Sequence, residues 1–287
     1  MLIVDIIKSG LILTSIYFLI SFAVTFQYGV GGFPNLALGY VGSLGVYVTT
    51  SLWNKVGAIP AIILGLIAAI LCNLLIQQFI INNLEKGRND DEKRNNILYG
   101  TFALLVALPP IFQKLFLSTL VSVDLPSGPR IFETFTTFEL VLVVLAFLIF
   151  VGFRFLIKKT HFGHAIQAVT ENAKLSLIMG INIKKMYLVV AAISGAIAYI
   201  GLLMWGRLYS VRLETGSEIV IYGFIISVLG GLGNITGALL AAVIVGFSYS
   251  LSNFLIGGVF TPIVVFFLFI VAIIMFPRGI FKSERTL

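Results

Sequence analysis

Charged residues are scarce in this chain of 287 residues: only 11% are Asp, Glu, Lys or Arg, against about 25% in a typical soluble domain. Hydrophobic residues make up 59% of the chain, and its mean hydropathy is +1.07. The apolar runs reach about 17–25 residues, the length that crosses a bilayer as a helix. Backbone polar groups in lipid must be satisfied within each span, so we expect helices and no soluble domain between them. The composition therefore predicts an all-α, polytopic integral membrane protein, folded as a single transmembrane domain over residues 1–287.

Residues that carry redox or metal chemistry are also few. A single cysteine, Cys72, excludes a disulfide within the chain. His161 and His164 have the spacing of a partial metal site, but no cysteine or third histidine accompanies them, and two surface histidines are the simpler interpretation. We expect no metal site.

Catalytic and nucleotide-binding motifs are missing from the sequence. It has no Gly-x4-Gly-Lys-Ser/Thr loop, so we expect that this chain does not bind ATP in that way. The interiors of the apolar runs contain no Asp, Glu, Lys, Arg or His, which argues against an intramembrane hydrolase and against a proton-coupled carrier. Sodium coupling through backbone carbonyls stays open. We expect that the chain is not an enzyme and binds no cofactor itself.

The net charge of +7 is unevenly distributed. The whole excess lies in or beside three polar segments, 83–96, 154–185 and 278–287, and the other polar segments balance to zero. The positive-inside rule places these three segments in the cytoplasm. The chain is thus predicted to lie in the cell membrane as a multi-pass protein with a cytoplasmic C-terminus. The high pI reports topology, so no nucleic-acid partner is expected.

The number of predicted spans depends on residues 28–53. We read the first run as an uncleaved span rather than a signal peptide, because no basic segment precedes it. The dense Gly and Pro of residues 28–47 fit a broken or re-entrant segment that enters a short span, and fit equally a tight turn before a Gly-rich packing helix. The count is about eight or nine transmembrane helices. The remaining spans are predicted at about 6–27, 57–82, 97–117 (kinked at Pro109–Pro110), 138–157, 186–206, from about 219 to the turn at 229–234, 235–256 and 260–276.

Small and neutral polar residues recur within the predicted spans. Ala238, Ala242, Gly246 and Ser250 follow one another at four-residue spacing, a pattern typical of a helix-packing face. Neutral polar side chains either line a path for a polar solute or hydrogen-bond helix to helix, and packing is the commoner role.

The segment from Lys158 to Ile183 is the one polar stretch of helical length beyond residue 97. At the helical period, one face carries Phe162, Ile166, Val169, Ala173 and Leu177, and the opposite face carries His164, Gln167, Glu171 and Lys174. The pattern predicts an amphipathic helix over about 163–180, bracketed by Gly163 and Gly180. Such a helix contacts another protein or lies among the lipid headgroups, and spacing alone does not separate the two.

Several motifs together resemble one known family. Gly32-Phe33-Pro34-Asn35-Leu36-Ala37-Leu38-Gly39, Glu171-Asn172-Ala173-Lys174, Leu229-Gly230-Gly231-Leu232-Gly233-Asn234 and the terminal Pro277-Arg278-Gly279 resemble, in order and spacing, the permeases of branched-chain amino-acid ABC transporters, and the LivH-like subunit more than its LivM-like partner. The sequence departs from the family at three positions: His164 and Gln167 stand where arginines are usual, and Tyr222 where a lysine is usual.

The resemblance implies one membrane half of an importer. Two cytoplasmic ATPase subunits would use ATP and Mg, a second permease subunit would complete the path, and an external binding protein would deliver a small-molecule solute. The helix over 163–180 would be the coupling helix on the ATPase, with Gly163, His164, Gln167, Glu171, Asn172, Lys174 and Gly180 as its key residues. The translocation pathway would involve Asn35, Gly39, Ser227, Gly230, Gly231 and Asn234.

Two other functions remain open at this point. A stand-alone channel or secondary carrier for a small polar solute would show flux through this chain alone. A membrane scaffold that binds partners through the same amphipathic helix would show no flux. Branched-chain or related amino acids are the solutes that the resemblance implies.

Overall fold

The computed structural model describes residues 2–84, 90–116, 120–131, 135–212, 214–276 and 279–281. Its helices are α1 (Leu2–Gly31), α2 (Leu38–Val56), α3 (Ala58–Leu75), α4 (Asn82–Leu84), α5 (Asp90–Phe116), α6 (Thr137–Lys159), α7 (His161–Glu171), α8 (Ala173–Ile178), α9 (Ile183–Leu208), α10 (Thr215–Gly230), α11 (Ile235–Leu255) and α12 (Thr261–Met275). A π-helical turn, Ile76–Ile81, joins α3 to α4. The strands form two antiparallel pairs: β1 (Leu120–Val121) with β4 (Val211–Arg212), and β2 (Arg130–Ile131) with β3 (Phe135–Thr136).

The all-α membrane fold expected from composition is confirmed. Within the described parts of the chain, six helical segments are long and apolar enough to cross a membrane: Ile3–Gly31, Ala58–Leu84, Asn95–Phe116, Thr137–Lys159, Ile183–Leu208 and Ile235–Leu255. The shorter helices α10 and α12 are also apolar. The remaining helix of comparable length, α2, is the one whose status the sequence left open, and most of its residues are buried among its neighbours.

The centre of the bundle is α1, in which every residue from Ile12 to Gln27 is buried. A row of phenylalanines on α1 packs against α6. The ring centroids of Phe22 and Phe153 are 4.8 Å apart, and those of Phe26 and Phe153 are 4.6 Å apart, both edge to face. Close van der Waals packing of this kind holds helices together in lipid, because the hydrophobic effect does not drive apolar helices together there.

The small residues of α11 form the packing face that their spacing predicts. Ala238, Ala242, Gly246 and Ser250 are all buried. At Gly246, a Cβ atom would lie 2.7 Å from the backbone nitrogen of Thr14 on α1, so the two helices approach more closely than a side chain would allow. The Ser250 hydroxyl donates to the carbonyl oxygen of Ile6 at 2.9 Å. These contacts fix α11 along α1.

The break expected within residues 28–47 lies between α1 and α2. Helix α1 continues to Gly31, and Gly32 takes a φ of 75°, a conformation that glycine adopts without strain. The side-chain oxygen of Asn35 then accepts from the backbone nitrogen of Ala37 at 3.0 Å, just before α2 begins. Because α2 is continuous from Leu38 to Val56, the arrangement is a tight turn before a Gly-rich packing helix, without a re-entrant turn inside α2.

One boundary differs from the one expected. Helix α5 starts at Asp90, so it takes in part of the polar segment 83–96 that was expected to be a loop, and residues 85–89 lie outside the described residues. Pro109 and Pro110 lie inside α5, which the structure keeps as one helix. The expected terminus at Pro277–Arg278 also lies outside the described residues.

At the end of the bundle where α6 starts, an ion pair joins α1 to α6. Lys8 Nζ lies 2.9 Å from a carboxylate oxygen of Glu139. The other carboxylate oxygen of Glu139 accepts from the backbone nitrogen of Thr136, and the Thr136 hydroxyl accepts from the Glu139 backbone nitrogen. This capping box satisfies free amides at the start of α6.

Candidate functional site at the basic end of the helix bundle

The predicted coupling segment lies at the end of the bundle where α6 finishes with Lys158 and Lys159. We call this the basic end. The Thr160 hydroxyl accepts from the Gly163 backbone nitrogen at 3.0 Å and caps α7. Gly163 is buried, and a Cβ atom there would collide with the carbonyl oxygens of Leu156 and Ile157. Gly163 therefore permits the tight turn from α6 into α7. It lies inside α7, which begins at His161, and does not bracket the start of the helix as expected.

Helix α7 has the two faces that the sequence predicts. Ile166 and Val169 are buried against the core, and Phe162 packs beside them. On the other side, His164 and Glu171 are exposed and Gln167 is half-buried. The amphipathic pattern is thus correct for this helix.

The expectation of one continuous helix over 163–180 is wrong, because the chain breaks at Asn172. The side-chain oxygen of Asn172 accepts from the Leu175 backbone nitrogen at 3.1 Å, so Asn172 ends α7 and caps the separate helix α8. Helix α8 ends at Ile178, and the turn that follows it includes Gly180, whose φ is 85°. This change of direction turns Leu177, expected on the buried face, outward.

Helix α8 presents apolar side chains to its surroundings. Leu177 is 62% exposed, Ile178 81% and Met179 76%, and Leu175 and the charged Lys174 are exposed beside them. We call these five residues the α8 tip. Exposed apolar side chains clustered beside the polar segments of a membrane protein mark a surface that contacts a partner or the bilayer interface.

A cavity of about 660 Å³ lies behind α8, between three of the sequence motifs. One wall is the end of α1 and its turn, from Tyr28 to Phe33, and another is the segment from Val169 to Lys174. Leu232 and Gly233 close a third side, and Gly233 packs directly against Gly29 of α1. The structure therefore brings Glu171, Asn172 and Lys174 of the predicted coupling segment next to the α1–α2 break.

Asn35, two residues beyond Phe33 of the cavity wall, belongs to a buried group of side-chain amides. Its side-chain nitrogen lies 3.2 Å from the oxygen of Asn73 and 3.4 Å from that of Gln27, and Gln27 in turn donates to Gln77 at 3.3 Å. Asn73 also donates to the carbonyl oxygen of Ala191 on α9 at 2.7 Å. We call Gln27, Asn35, Asn73 and Gln77 the amide cluster. It ties α1, the turn before α2, α3 and α9 together.

The other residues expected along the pathway make close helix contacts. A Cβ atom on Gly39 would collide with the carbonyl oxygen of Gly216 on α10. The Ser227 hydroxyl lies within hydrogen-bonding distance of the carbonyl oxygens of Ser21 and Gly223, at 3.0 and 2.7 Å. Neither Gly39 nor Ser227 lines the cavity behind α8.

The end of α10 and the turn that follows it contain the remaining residues predicted to lie along the pathway, Gly230, Gly231 and Asn234. Gly230 packs against the backbone of Gly237, and Gly231 takes a φ of 88° to reverse the chain. Asn234 caps α11 by accepting from the Gly237 backbone nitrogen at 3.0 Å, and its side-chain nitrogen donates to the carbonyl oxygen of Phe281 at 3.1 Å. The turn thus holds Phe281 at the basic end.

Sequence reasoning missed an aromatic group in the middle of the bundle. The ring centroid of Tyr17 lies 5.5 Å from that of Tyr222, 6.0 Å from that of Tyr249 and 6.5 Å from that of Trp205. Among the described residues, the buried hydroxyl of Tyr17 has no hydrogen-bond partner. The rings come from four helices, so no local pattern could have indicated the group.

Metal binding finds no support in the described part of the chain. No group of three or more His, Cys, Asp or Glu side chains there could hold a metal ion. His161 and His164 are both exposed on α7.

Comparison with known proteins gives one family along nearly the whole chain. A family model described as "Branched-chain amino acid transport system / permease component" matches residues 6–276. The chain is 26% identical to the high-affinity branched-chain amino acid transport system permease protein LivH of Salmonella typhimurium, over 95% of this chain and 93% of that protein. It is 24% identical to BraD of Pseudomonas aeruginosa, with the same coverage, and 25% identical to a probable LivH of Methanocaldococcus jannaschii, over 89% and 82%. No solved structure gives a significant match.

Proposed function

Because the chain belongs to the branched-chain amino acid transport system permease component family, we propose that it is the membrane-spanning subunit of an ABC importer for a branched-chain or related amino acid. Family membership makes it a transport permease rather than an enzyme. Two ATPase subunits would supply ATP hydrolysis with Mg at the cytoplasmic face. A second permease subunit and an external binding protein would complete the transporter.

The observation that carries the proposal is the α8 tip. Burial of exposed Ile178 and Met179 against a partner would contribute about 1.5–3 kcal/mol for each side chain. The tip lies at the basic end, which the positive-inside rule assigns to the cytoplasm, together with the C-terminal segment. A cytoplasmic ATPase is the partner that this position fits. Because His164 and Gln167 replace the arginines usual in the family, the apolar tip would carry more of the contact here.

The cavity behind α8 suggests how movement of the ATPases would reach the membrane. Glu171, Asn172 and Lys174 line this cavity together with Gly31 and Phe33 of the α1–α2 break. A shift of α7 and α8 would change the shape of the cavity directly, because residues of these helices line it. This contact supports alternating access driven from the basic end.

The test removes apolar surface from the α8 tip while leaving the spans unchanged. We would compare two double variants. The α8 variant carries Ile178→Ser and Met179→Ser. The control carries Ile256→Ser and Val259→Ser, whose side chains are exposed beyond α11 at the opposite end of the bundle. Each variant would be solubilised gently from native membranes, and co-purifying ATPase would be quantified by mass spectrometry beside ATP-dependent uptake of labelled leucine.

The α8 variant should insert normally but bind ATPase at least about ten-fold more weakly and lose uptake in proportion. The control should retain both. Normal ATPase recovery and uptake in the α8 variant would contradict the docking assignment. Solute flux through this chain alone in liposomes, without ATP, would instead favour the channel or secondary carrier.

A further inference from the structure

A second cavity at the basic end is separate from the cavity behind α8, although Gln167 and Asn234, both described above, are among its lining residues. It has a volume of about 310 Å³ and lies between α6, α7 and the start of α11. Phe150, Arg154 and Lys158 of α6, Gln167 of α7 and Thr236 of α11 are among the side chains that line it. Neither the α8 tip nor the α1–α2 break contributes to this cavity, so it needs an explanation of its own.

The position of the cavity follows from the outer face of α6. Phe147, Val151 and Phe155 on this face are exposed apolar side chains of a helix long enough to cross a membrane, as a lipid-facing surface requires. Arg154 and Lys158 follow one helical turn apart towards the basic end, and both are exposed. A span changes from apolar to cationic side chains where the acyl chains end and the headgroups begin.

The charge of the cavity is unbalanced. Of the described residues that line it, two are cations and none is an acid. Neither Arg154 nor Lys158 forms an ion pair with an acid of the described residues. Arginine offers a planar fork of N–H donors, and lysine offers an ammonium that can contact the same anion. The Gln167 amide and the Thr236 hydroxyl add neutral donors on the other walls.

We propose that this cavity binds the phosphate headgroup of an anionic phospholipid from the cytoplasmic leaflet. Arg154 and Lys158 contact the phosphate oxygens, and the acyl chains lie along the apolar face of α6 above Phe150. The adjoining apolar face favours a lipid over free phosphate, which would gain nothing from it. A lipid bound here touches α6, α7 and α11 at once, so it holds α7 in place against the bundle. Clusters of basic residues between helices on the cytoplasmic side bind lipid headgroups in this way.

The test measures how strongly the full-length chain retains phosphatidylglycerol relative to phosphatidylcholine. The chain, purified in a neutral detergent, would be titrated with each lipid, and the bound lipid would be quantified by native mass spectrometry. The double variant Arg154→Gln/Lys158→Gln should weaken the binding of phosphatidylglycerol about 25-fold, since each cation near an anionic lipid contributes a factor of about five. Phosphatidylcholine binding should not change.

Two further variants keep the test decisive. Lys184→Gln with Lys185→Gln removes the same charge from exposed positions at the basic end, in the first turn of α9, and should leave the phosphatidylglycerol preference intact. Gln167→Glu places an acid in the cavity without changing either cation, so it should weaken the binding of phosphatidylglycerol. This variant tests the proposal even if the double variant of α6 fails to fold. Equal losses in the α6 and α9 variants would overturn the proposal in favour of diffuse attraction. Displacement of the lipid by equimolar inorganic phosphate would overturn it in favour of a free-anion site.

Discussion

The side-chain nitrogen of Asn35 lies 3.2 Å from the side-chain oxygen of Asn73, and both residues are fully buried. Asn35 stands in the turn before α2, and Asn73 stands on α3. The contact joins the α1–α2 break to a residue of α3 that is 38 positions away in the sequence. It is the central link of the amide cluster.

Replacement of both residues by alanine should reveal a favourable coupling between them. We expect a double-mutant cycle of Asn35→Ala and Asn73→Ala to give a coupling energy of about 0.6 kcal/mol, the average for hydrogen bonds between membrane helices. The measurement is the free energy of unfolding in mixed micelles for the four proteins of the cycle. Strict additivity of the two losses would mean that the two amides do not interact.

The close approach of α2 to α10 at Gly39 makes a second prediction. Gly39→Ala should lower the free energy of unfolding by about 1–3 kcal/mol, because the added methyl group collides with the Gly216 backbone, which cannot rotate away. Gly152 of α6 is the matched control, since a Cβ atom there meets no atom within 4 Å. Gly152→Ala should stabilise the helix by up to about 1 kcal/mol. Thermal unfolding in detergent compares the two, and equal effects would show that packing at Gly39 is loose.

The cap at Asn172 sets the stability of α8. Asn172→Ala removes the side-chain oxygen that accepts from Leu175, at a cost of about 1 kcal/mol. Backbone amides of α8 should then exchange with solvent about five-fold faster. Asn172→Asp keeps the acceptor and should leave exchange near the wild-type rate. Hydrogen-exchange mass spectrometry on the peptide that contains α8 makes the comparison, and unchanged exchange in the alanine variant would mean that α8 does not depend on this cap.

Much of the fold could be predicted from the sequence because its main determinants are local. Run length and low charge indicate the membrane helices, and four-residue spacing indicates the face of α11 that packs on α1. The same holds for Ile166 and Val169, whose periodicity places them on the buried side of α7. The break at Asn172 was missed because the hydrophobic periodicity continues through it. A helix cap depends on a hydrogen bond between a side chain and the backbone, and a hydrophobic pattern does not reveal such a bond.

The arrangement of the site was harder to predict because its contacts are long-range. Asn35 was expected to line a pathway, and its bonding partners Asn73 and Gln27 come from helices whose relative positions no spacing rule gives. The cavity behind α8 likewise depends on Gly233 meeting Gly29 across the bundle. Motif order shows that these segments belong to one family, while tertiary packing decides which of them touch.

Tyr17 and Tyr199 should respond in opposite directions to the same substitution. The buried Tyr17 hydroxyl has no hydrogen-bond partner among the described residues, whereas the Tyr199 hydroxyl lies 2.8 Å from the Thr49 hydroxyl and 3.0 Å from the carbonyl oxygen of Ile62. Tyr17→Phe removes an unsatisfied polar group and keeps the ring contacts, so it should raise the free energy of unfolding by about 1 kcal/mol. Tyr199→Phe should lower it by about as much, because it removes the hydrogen bonds that the Tyr199 hydroxyl makes with Thr49 and Ile62. Unfolding in mixed micelles measures both, and a loss of stability in Tyr17→Phe would mean that its hydroxyl is hydrogen-bonded after all.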